Sequence, residues 1–348
     1  MTTTNTARIA VVGASGYTGA ELIDLLLAHP RATPVALSGS ARQEHNPTLA
    51  EVHPRFTGRT DLTVSPASTS AIIDAKPDAV MLATPHEAAI PLAAELLTRN
   101  IPVIDLSAAF RLSDPAAYPE HYNFEHAHPE LLPTATYGLP ELPQNNTNTR
   151  DAIRAANLIA CPGCYPTASI LGIAPAVRAG LIATGTRPII DATSGISGAG
   201  RAANQANLFC ETSQRAYNVF AHRHQPEINQ HAGIETVFTP HVGPYDRGIL
   251  ATIHLDLTPD TTDADLRAAY AAAYEHEPFV TLRAPGTWPA INDVARTNNA
   301  HIALAVDEAH NHAIVVVAID NLLKGASGQA VQCMNLRLGF NETDGLRP

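Results

Sequence analysis

The run Ile9-Ala-Val-Val12, followed at once by Gly13-Ala-Ser-Gly16-Tyr-Thr-Gly19, constrains this chain more than any other stretch. Four consecutive apolar residues read as a strand buried on both faces. From Ala20 to Ala28, leucine and isoleucine recur at helical spacing, and His29-Pro30 closes the helix. Strand, glycine turn and helix in immediate succession open a βαβ unit. The glycines stand at the first, fourth and seventh positions, a variant of the spacing that lets backbone approach a pyrophosphate at a helix N-terminus. Gly13, Ser15, Gly16, Tyr17, Thr18 and Gly19 are therefore the expected cofactor contacts.

The end of the next strand, Pro34–Leu37, selects the cofactor. An NAD site wants a carboxylate about 20 residues past the glycines, on the ribose 2′-OH. Here that place reads Ser38-Gly-Ser40-Ala-Arg42, with two hydroxyls and a guanidinium and no acid. Ser38, Ser40 and Arg42 suit a 2′-phosphate, which points to NADP; an ordinary surface loop is the alternative. Further buried strands at 78–84 and 101–105, separated by a helix over 87–99, predict a parallel, doubly wound, Rossmann-like sheet. From Ser107 to Arg150 the periodicity lapses into a long excursion rich in Pro, Tyr, His and Asn. Strand-like runs cluster after residue 188, at 188–193, 236–240, 248–257, 279–283, 301–306 and 313–319, with one helix at 262–276. They predict an α+β catalytic domain with a mixed, largely antiparallel sheet. The closing helix, 325–338, reads as returning to the first domain. The expected division is 1–157 with 324–348 for the NADP-binding domain and 158–323 for catalysis and oligomerisation.

Between the two lies Leu158-Ile-Ala-Cys-Pro-Gly-Cys164-Tyr-Pro-Thr-Ala168. A short apolar strand meets a Pro-Gly break, then a helix from about Tyr165. Cys164 sits where unpaired N–H groups and the positive dipole end gather, and both favour thiolate over thiol. That makes Cys164 the candidate nucleophile. Two other readings stand beside it: a small core hydrophobe, and a Cys161/Cys164 redox or metal pair. A redox pair wants a small thioredoxin-like setting, and a zinc site wants a second ligand pair, which Cys210 and Cys333 do not make. No metal is expected.

Composition narrows the partners. The net charge of −11 argues against nucleic acid. With only two lysines, Lys76 and Lys324, arginine must supply most anion-binding charge. Four cysteines in 348 residues make no disulfide framework. The N-terminus reads as a polar tail without a signal peptide, and no apolar run approaches a membrane span, so a cytoplasmic protein is expected. A nucleophilic cysteine, NADP and arginines together fit reduction of an acyl phosphate to an aldehyde through a thioester. The proton-exchanging group is best a histidine, whose ordinary pKa lies near working pH. Tyr217-Asn-Val-Phe-Ala-His222-Arg-His224-Gln-Pro-Glu227 places two candidates together, and Arg111 and the glycine-rich loop Ser194–Arg201 are candidate anion sites.

These motifs together resemble the N-acetyl-γ-glutamyl-phosphate reductase family, relatives of aspartate-semialdehyde dehydrogenase. The resemblance spans nearly the whole chain: the GASGYTG turn, Asp105-Leu-Ser with Phe110-Arg111-Leu112, Tyr137–Leu142, the Cys164 signature, Ser194–Arg201, Ala216-Tyr-Asn with the histidine pair, Arg247-Gly-Ile and Asp320-Asn321-Leu-Leu-Lys-Gly325. It implies Cys164 as nucleophile and His222 as general base, with His224 nearby. It implies Arg111 and Arg201 near substrate anions, Glu227 beside the histidines and Asn321 near the nicotinamide. It further implies a homodimer or homotetramer that reduces a small acyl phosphate. The family usually carries Asp where this chain has Ala109, and a thiol at Cys161 is not part of the signature; Cys161 reads as packing. An aspartyl-phosphate-type dehydrogenase and a non-catalytic NADP-sensing regulator are the competing readings. Arg42→Ala is expected to weaken NADP binding more than NAD binding in fluorescence titrations; equal losses would remove the 2′-phosphate argument.

Overall fold

The computed structural model describes residues 6–39, 45–142, 149–203, 205 and 208–347. Two seven-stranded sheets carry the fold. The first holds β1 (Ala7–Val12), β2 (Ala32–Ser38), β3 (Val64–Ser65), β4 (Ala79–Leu82), β5 (Val103–Asp105), β6 (Ala135–Tyr137) and β7 (Leu158–Ala160). Their order is β3-β2-β1-β4-β5-β7-β6, and every pair is parallel. Ile9–Val12 and the whole of β4 are solvent-free, as unbroken apolar runs in a sheet covered on both faces should be. Helices α1 (Tyr17–Ala28), α2 (Leu49–Val52), α3 (Thr69–Asp74), α4 (His86–Thr98), α5 (Ala117–Tyr122) and α6 (Thr149–Ala155) accompany it. The excursion after Ser107 thus contains two short helices and an edge strand, too brief for any periodicity to register.

The second sheet holds β8 (Ile189–Gly195), β9 (Arg215–Ala216), β10 (Val237–Gly243), β11 (Ile249–Asp256), β12 (Val280–Leu282), β13 (Ala300–Asp307) and β14 (His312–Ile319). Its order is β12-β13-β14-β11-β8-β10-β9; β8/β10 and β12/β13 are parallel and the other pairs antiparallel. Burial alternates along β10 and β11, so one face makes the core. Helices α7 (Cys164–Arg178), α8 (Gln225–Ala232) and α9 (Asp263–Tyr274) belong to this half, and α10 (Gly328–Arg337) packs into the core of the first sheet.

Helix α7 joins the halves. Every residue from Tyr165 to Ala176 is buried, which suits a helix apolar around its circumference. Pro175 has no N–H for the Leu171 carbonyl, and the Tyr274 hydroxyl supplies the missing donor at 2.7 Å. The Tyr270 hydroxyl donates to Gly172 O next to it. Gly172 lets the helix sit close on the sheet: a Cβ there would stand 2.3 Å from Ile253 Cδ1, so the Ile253 side chain would have to move. Pro166 lies in the first turn, where no intrahelical N–H is required. α7 is therefore clamped to its sheet, and its N-terminus is a fixed point.

Candidate active site

The glycine turn has the form the spacing calls for. Gly13 has φ +93°, and a Cβ on it would meet Ala83 O at 2.2 Å. A Cβ on Gly19 would meet Gly13 O at the same distance, so helix and turn touch backbone to backbone. Gly16 caps α1. Ser38 is buried beneath the turn, and its carbonyl accepts from the N–H groups of Gly13 and Ala14 at 2.7 and 2.9 Å. Ser40 and Arg42 lie outside the described residues. Tyr17 and Thr18 line a cleft of about 460 Å³ that runs over the C-terminal ends of β1 and β4 to Asn321 and Cys164. In its wall Thr84 Oγ1 is buried without a partner among the described residues. A bare glycine turn and an unsatisfied hydroxyl facing one cleft fit a dinucleotide with a polar carboxamide end.

Cys164 opens α7, with Gly163 as its cap. Gly163 N–H donates to Glu227 Oε1 at 2.9 Å, and Tyr137 Oη donates to the same oxygen at 2.8 Å. Glu227 Oε2 lies 3.3 Å from Arg111 Nη1. Arg111 also donates to Cys161 O at 2.7 Å and Leu106 O at 2.8 Å. Side chains press on this turn: a Cβ at Gly163 would stand 2.7 Å from His224 Nε2 and 2.9 Å from Arg111 Nη1. From the opposite side Gly325 leans on Cys164, where a Cβ would meet the Cys164 Cβ at 2.8 Å. Gly325 belongs to a single π-turn, Leu323–Ser327, of the kind that often marks functional sites.

Beyond Cys164 lies a second cavity of about 520 Å³, lined by Arg215, Tyr217, His222, Ser194 and His121 among others. Cys164, His86, Gly198, Arg223 and His224 line both spaces. The sulfur-bearing residue thus stands between the cleft over the glycine turn and a polar chamber of similar size.

Several expectations need correction. Burial pushes the Cys164 thiol up; the Tyr165 N–H, Arg111 and Arg223 pull it down, while Glu227 adds to the rise. Desolvation thus works against the thiolate that the helix terminus favours. His222 does not titrate near neutrality: burial, with help from Arg223, lowers it to about 4. Burial, His222, Arg111 and Arg223 hold His224 well below its ordinary value. Both rings are neutral at working pH. The backbone N–H of His224 donates to His222 Nδ1 at 3.1 Å, so a neutral His222 carries its proton on Nε2. His224 Nδ1 is buried and unpartnered among the described residues.

Glu227 is fully buried and grips the Gly163 turn and Arg111 rather than lining either space. Arg201 is exposed and turns toward the glycine turn, donating to Ser15 O at 3.0 Å and Val52 O at 2.9 Å. Asn321 is held by Gly248 N–H, which donates to its Oδ1 at 2.7 Å, and by its own donation to Ser197 Oγ at 3.0 Å. Ala109 is buried, and Arg111 is oriented without an acid there. Cys161 packs into the first core, away from any pairing with Cys164.

Sequence reasoning left Arg223 without a role. Arg223 is exposed, has no carboxylate partner among the described residues and faces both spaces. Its position between two singled-out histidines was the available signal. The run Thr84-Pro85-His86 is where the sequence places a ligand-binding strand end, and all three residues line the cleft, with His86 opening α4.

Comparison with known proteins agrees with this architecture. Residues 8–150 match the semialdehyde dehydrogenase NAD binding domain family, and residues 164–321 match the semialdehyde dehydrogenase dimerisation domain family. Aspartate semialdehyde dehydrogenase II from Vibrio cholerae superposes with a TM-score of 0.70 at 16% identity, over 96% of this chain and 99% of that one. The Candida albicans aspartate semialdehyde dehydrogenase, solved with NADP, superposes with 0.66 at 13% identity, over 95% and 98%. The chain belongs to the semialdehyde dehydrogenase family. It is 46% identical over 342 residues to the N-acetyl-gamma-glutamyl-phosphate reductase of Moritella profunda, covering 97% of this chain and 98% of that protein. With the Escherichia coli O157:H7 reductase the identity is 44% over 337 residues, covering 97% and 98%. Within the family, its place is among the N-acetyl-gamma-glutamyl-phosphate reductases.

The raised thiol makes a direct prediction. Inactivation of the cofactor-free enzyme by iodoacetamide should keep accelerating beyond the pH of about 8.5 at which a free cysteine is half ionised. A rate already level by about pH 7 would mean that Tyr165 N–H and the two arginines win over burial.

Proposed function

We propose that this chain catalyses the NADPH-dependent reduction of N-acetyl-γ-glutamyl phosphate to N-acetyl-L-glutamate 5-semialdehyde and phosphate, a step of arginine biosynthesis. The observation that carries the reading is the place of Cys164 at the start of α7, between the dinucleotide cleft and the polar chamber. The close reductase relatives supply the substrate. The aspartate-type neighbours share the fold at far lower identity. We further propose that 1–157 with 324–348 form the cofactor unit and 158–323 the catalytic and oligomerisation unit, in a cytoplasmic homodimer or homotetramer. The packing of α10 against the first sheet supports that division.

Bound NADPH supplies the hydride. Gly13, Gly16 and Gly19 would hold the backbone against its pyrophosphate, and Asn321 with the Thr84 hydroxyl would flank its nicotinamide end; Gly16, Thr84 and Asn321 line the cleft. Cys164 Sγ bonds to the acyl carbon and the C–O bond to phosphate breaks, the leaving oxygen keeping the electron pair. Arg223, exposed and unpaired at the junction of the two spaces, receives that phosphate. The resulting thioester accepts hydride at carbon and becomes a thiohemiacetal. Collapse then expels the Cys164 sulfur and frees the aldehyde.

The histidines divide the proton work. A base acting through Nε2 needs its proton on Nδ1, and the His224 N–H blocks that tautomer in His222. His222 therefore serves as the Nε2–H donor toward the acyl oxygen, beside the N–H groups of the helix start. His224, whose ring lies against Gly163 and whose Nδ1 has no partner, takes the thiol proton as the sulfur attacks. The base thus moves from His222, as the resemblance implies it, to His224. Arg111 and Glu227 position the turn.

Run backwards with NADP, phosphate and each semialdehyde, the enzyme should raise NADPH absorbance with N-acetylglutamate semialdehyde only, and Cys164→Ser should bind NADP without turnover. Turnover with aspartate semialdehyde would favour the related dehydrogenase, and silence with both a sensor. His224→Asn should cost about 10²–10⁴-fold in kcat and raise the pH at which the rate climbs. His222→Asn should cost less and leave that pH unchanged; the reverse ranking would return the base to His222.

A further inference from the structure

The excursion after β5 reaches the polar chamber through the end of α5. The helix stops at Tyr122, and Asn123 follows in the left-handed region at φ +61°. His121, Tyr122 and Asn123 line the chamber. The Tyr122 ring stands edge-on to His86, centroids 5.5 Å apart, in a cluster that also holds Tyr118, Phe124 and His126. That cluster grips the chain on both sides of Arg111. His126 Nε2 donates to Ala109 O at 2.8 Å. Tyr118 Oη accepts from Leu112 N–H at 3.2 Å and donates to Leu112 O at 3.1 Å. Tyr122 is buried, and burial pushes its hydroxyl pKa up, so the group keeps its proton. Its Oη donates to Arg223 O at 3.1 Å, joining residues 101 apart in the chain. The neighbours of Arg223 have anchors of their own: His222 O accepts from Gln225 N–H and His224 O from Ile228 N–H, each at 3.0 Å. Arg223 stands ahead of α8, and among the described residues its carbonyl accepts from Tyr122 alone. A backbone carbonyl outside a helix or sheet needs such a partner.

We infer that Tyr122 is a positioning residue for the reaction: its hydroxyl fixes the Arg223 carbonyl and so aims the Arg223 guanidinium at the phosphate of the substrate. The inference rests on the reading that Arg223 receives that phosphate. No carboxylate is among the residues that line the chamber, whereas Arg215 and Arg223 both are, so the space suits an anion. The Arg223 side chain is exposed and makes no hydrogen bond or ion pair among the described residues. Where it reaches is therefore set by its backbone, and α5 holds that backbone from the other half of the fold. The histidines on either side keep their bonds without Tyr122, which confines its effect to the phosphate.

The test compares Tyr122→Phe with the wild type, since that change removes the hydroxyl and keeps the ring among its aromatic neighbours. Two readouts report on phosphate. One is its KM in the reverse reaction with NADP and N-acetylglutamate semialdehyde. The other is the phosphate concentration that half-protects Cys164 from iodoacetamide in the cofactor-free enzyme. Both should rise about 3–10-fold, the effect of one hydrogen bond, while NADP affinity stays within about twofold. The phosphate KM should rise more than kcat falls. Arg223→Ala should raise the same two values, and adding Tyr122→Phe to it should change them no further, because the hydroxyl acts through Arg223. Unchanged phosphate values in Tyr122→Phe overturn the inference, whatever happens to the melting temperature. Losses that add in the double variant overturn it too, and so does an equal loss of NADP affinity, which marks a general loosening. If phosphate protects the wild type but the semialdehyde is not turned over, the proposed reaction fails and the protection assay alone decides the role of Tyr122. A wild type that phosphate does not protect overturns the inference together with the phosphate role of Arg223.

Discussion

The carboxylate of Glu227, sealed from solvent, is the interaction on which the site depends. One of its oxygens takes the Gly163 N–H and the Tyr137 hydroxyl; the other faces the Arg111 guanidinium. Three segments far apart in sequence are thereby held at one point: the loop after β5, the edge strand β6 and the turn into α7. A buried ion pair adds little net stability, but stripping out one partner leaves an uncompensated charge and costs about 3–5 kcal/mol. Its value lies in geometry. Because Gly163 precedes Cys164, any drift of the Glu227 carboxylate moves Cys164 relative to both spaces that it lines.

The two sheets meet through a seam built on the same logic. Arg247 reaches Glu21 of α1 at 3.0 Å and Asp320 at 3.3 Å. Asp320 in turn accepts from the N–H groups of Leu322 and Leu323, fixing the segment that carries Asn321 and Gly325. The Ser327 hydroxyl donates to Thr18 O in the first turn of α1. Further along, Lys324 makes a fully buried pair with Glu141 at 2.7 Å. The glycine turn, the Asn321 segment and Cys164 are therefore tied into one assembly rather than two halves in casual contact. That rigidity suits hydride transfer, whose rate depends on holding two reacting centres in a near-attack arrangement.

Much of this was legible beforehand, for local reasons. A buried strand in a parallel sheet has to be apolar throughout, so β1 and β4 announce themselves. Gly19 is demanded by a backbone contact with Gly13 six residues earlier and Gly13 by its positive φ, so their spacing carries the meaning even though Ala83, which also excludes a side chain at Gly13, comes from a distant strand. The Pro-Gly break places Cys164 at a helix start whatever surrounds it. The short pieces β3, β6 and β9 were not legible, because two or three residues cannot display a period and their pairing is set by distant partners.

The sequence by itself determined a glycine-turn dinucleotide fold joined to a mixed sheet, with a cysteine at the head of the joining helix. The strand, glycine turn and helix start are written in residues that are neighbours along the chain, and the mixed sheet in the apolar runs of its separate strands. Tertiary structure alone decided the upward push on the Cys164 thiol, the lowered basicity of His222 and His224, the tautomer of His222, the retreat of Glu227 into a structural role and the turn of Arg201 toward Ser15. Those outcomes depend on how much water is excluded and which distant donor or carbonyl arrives first. Desolvation and long-range hydrogen bonding are properties of the packed chain, with no counterpart in the order of its residues.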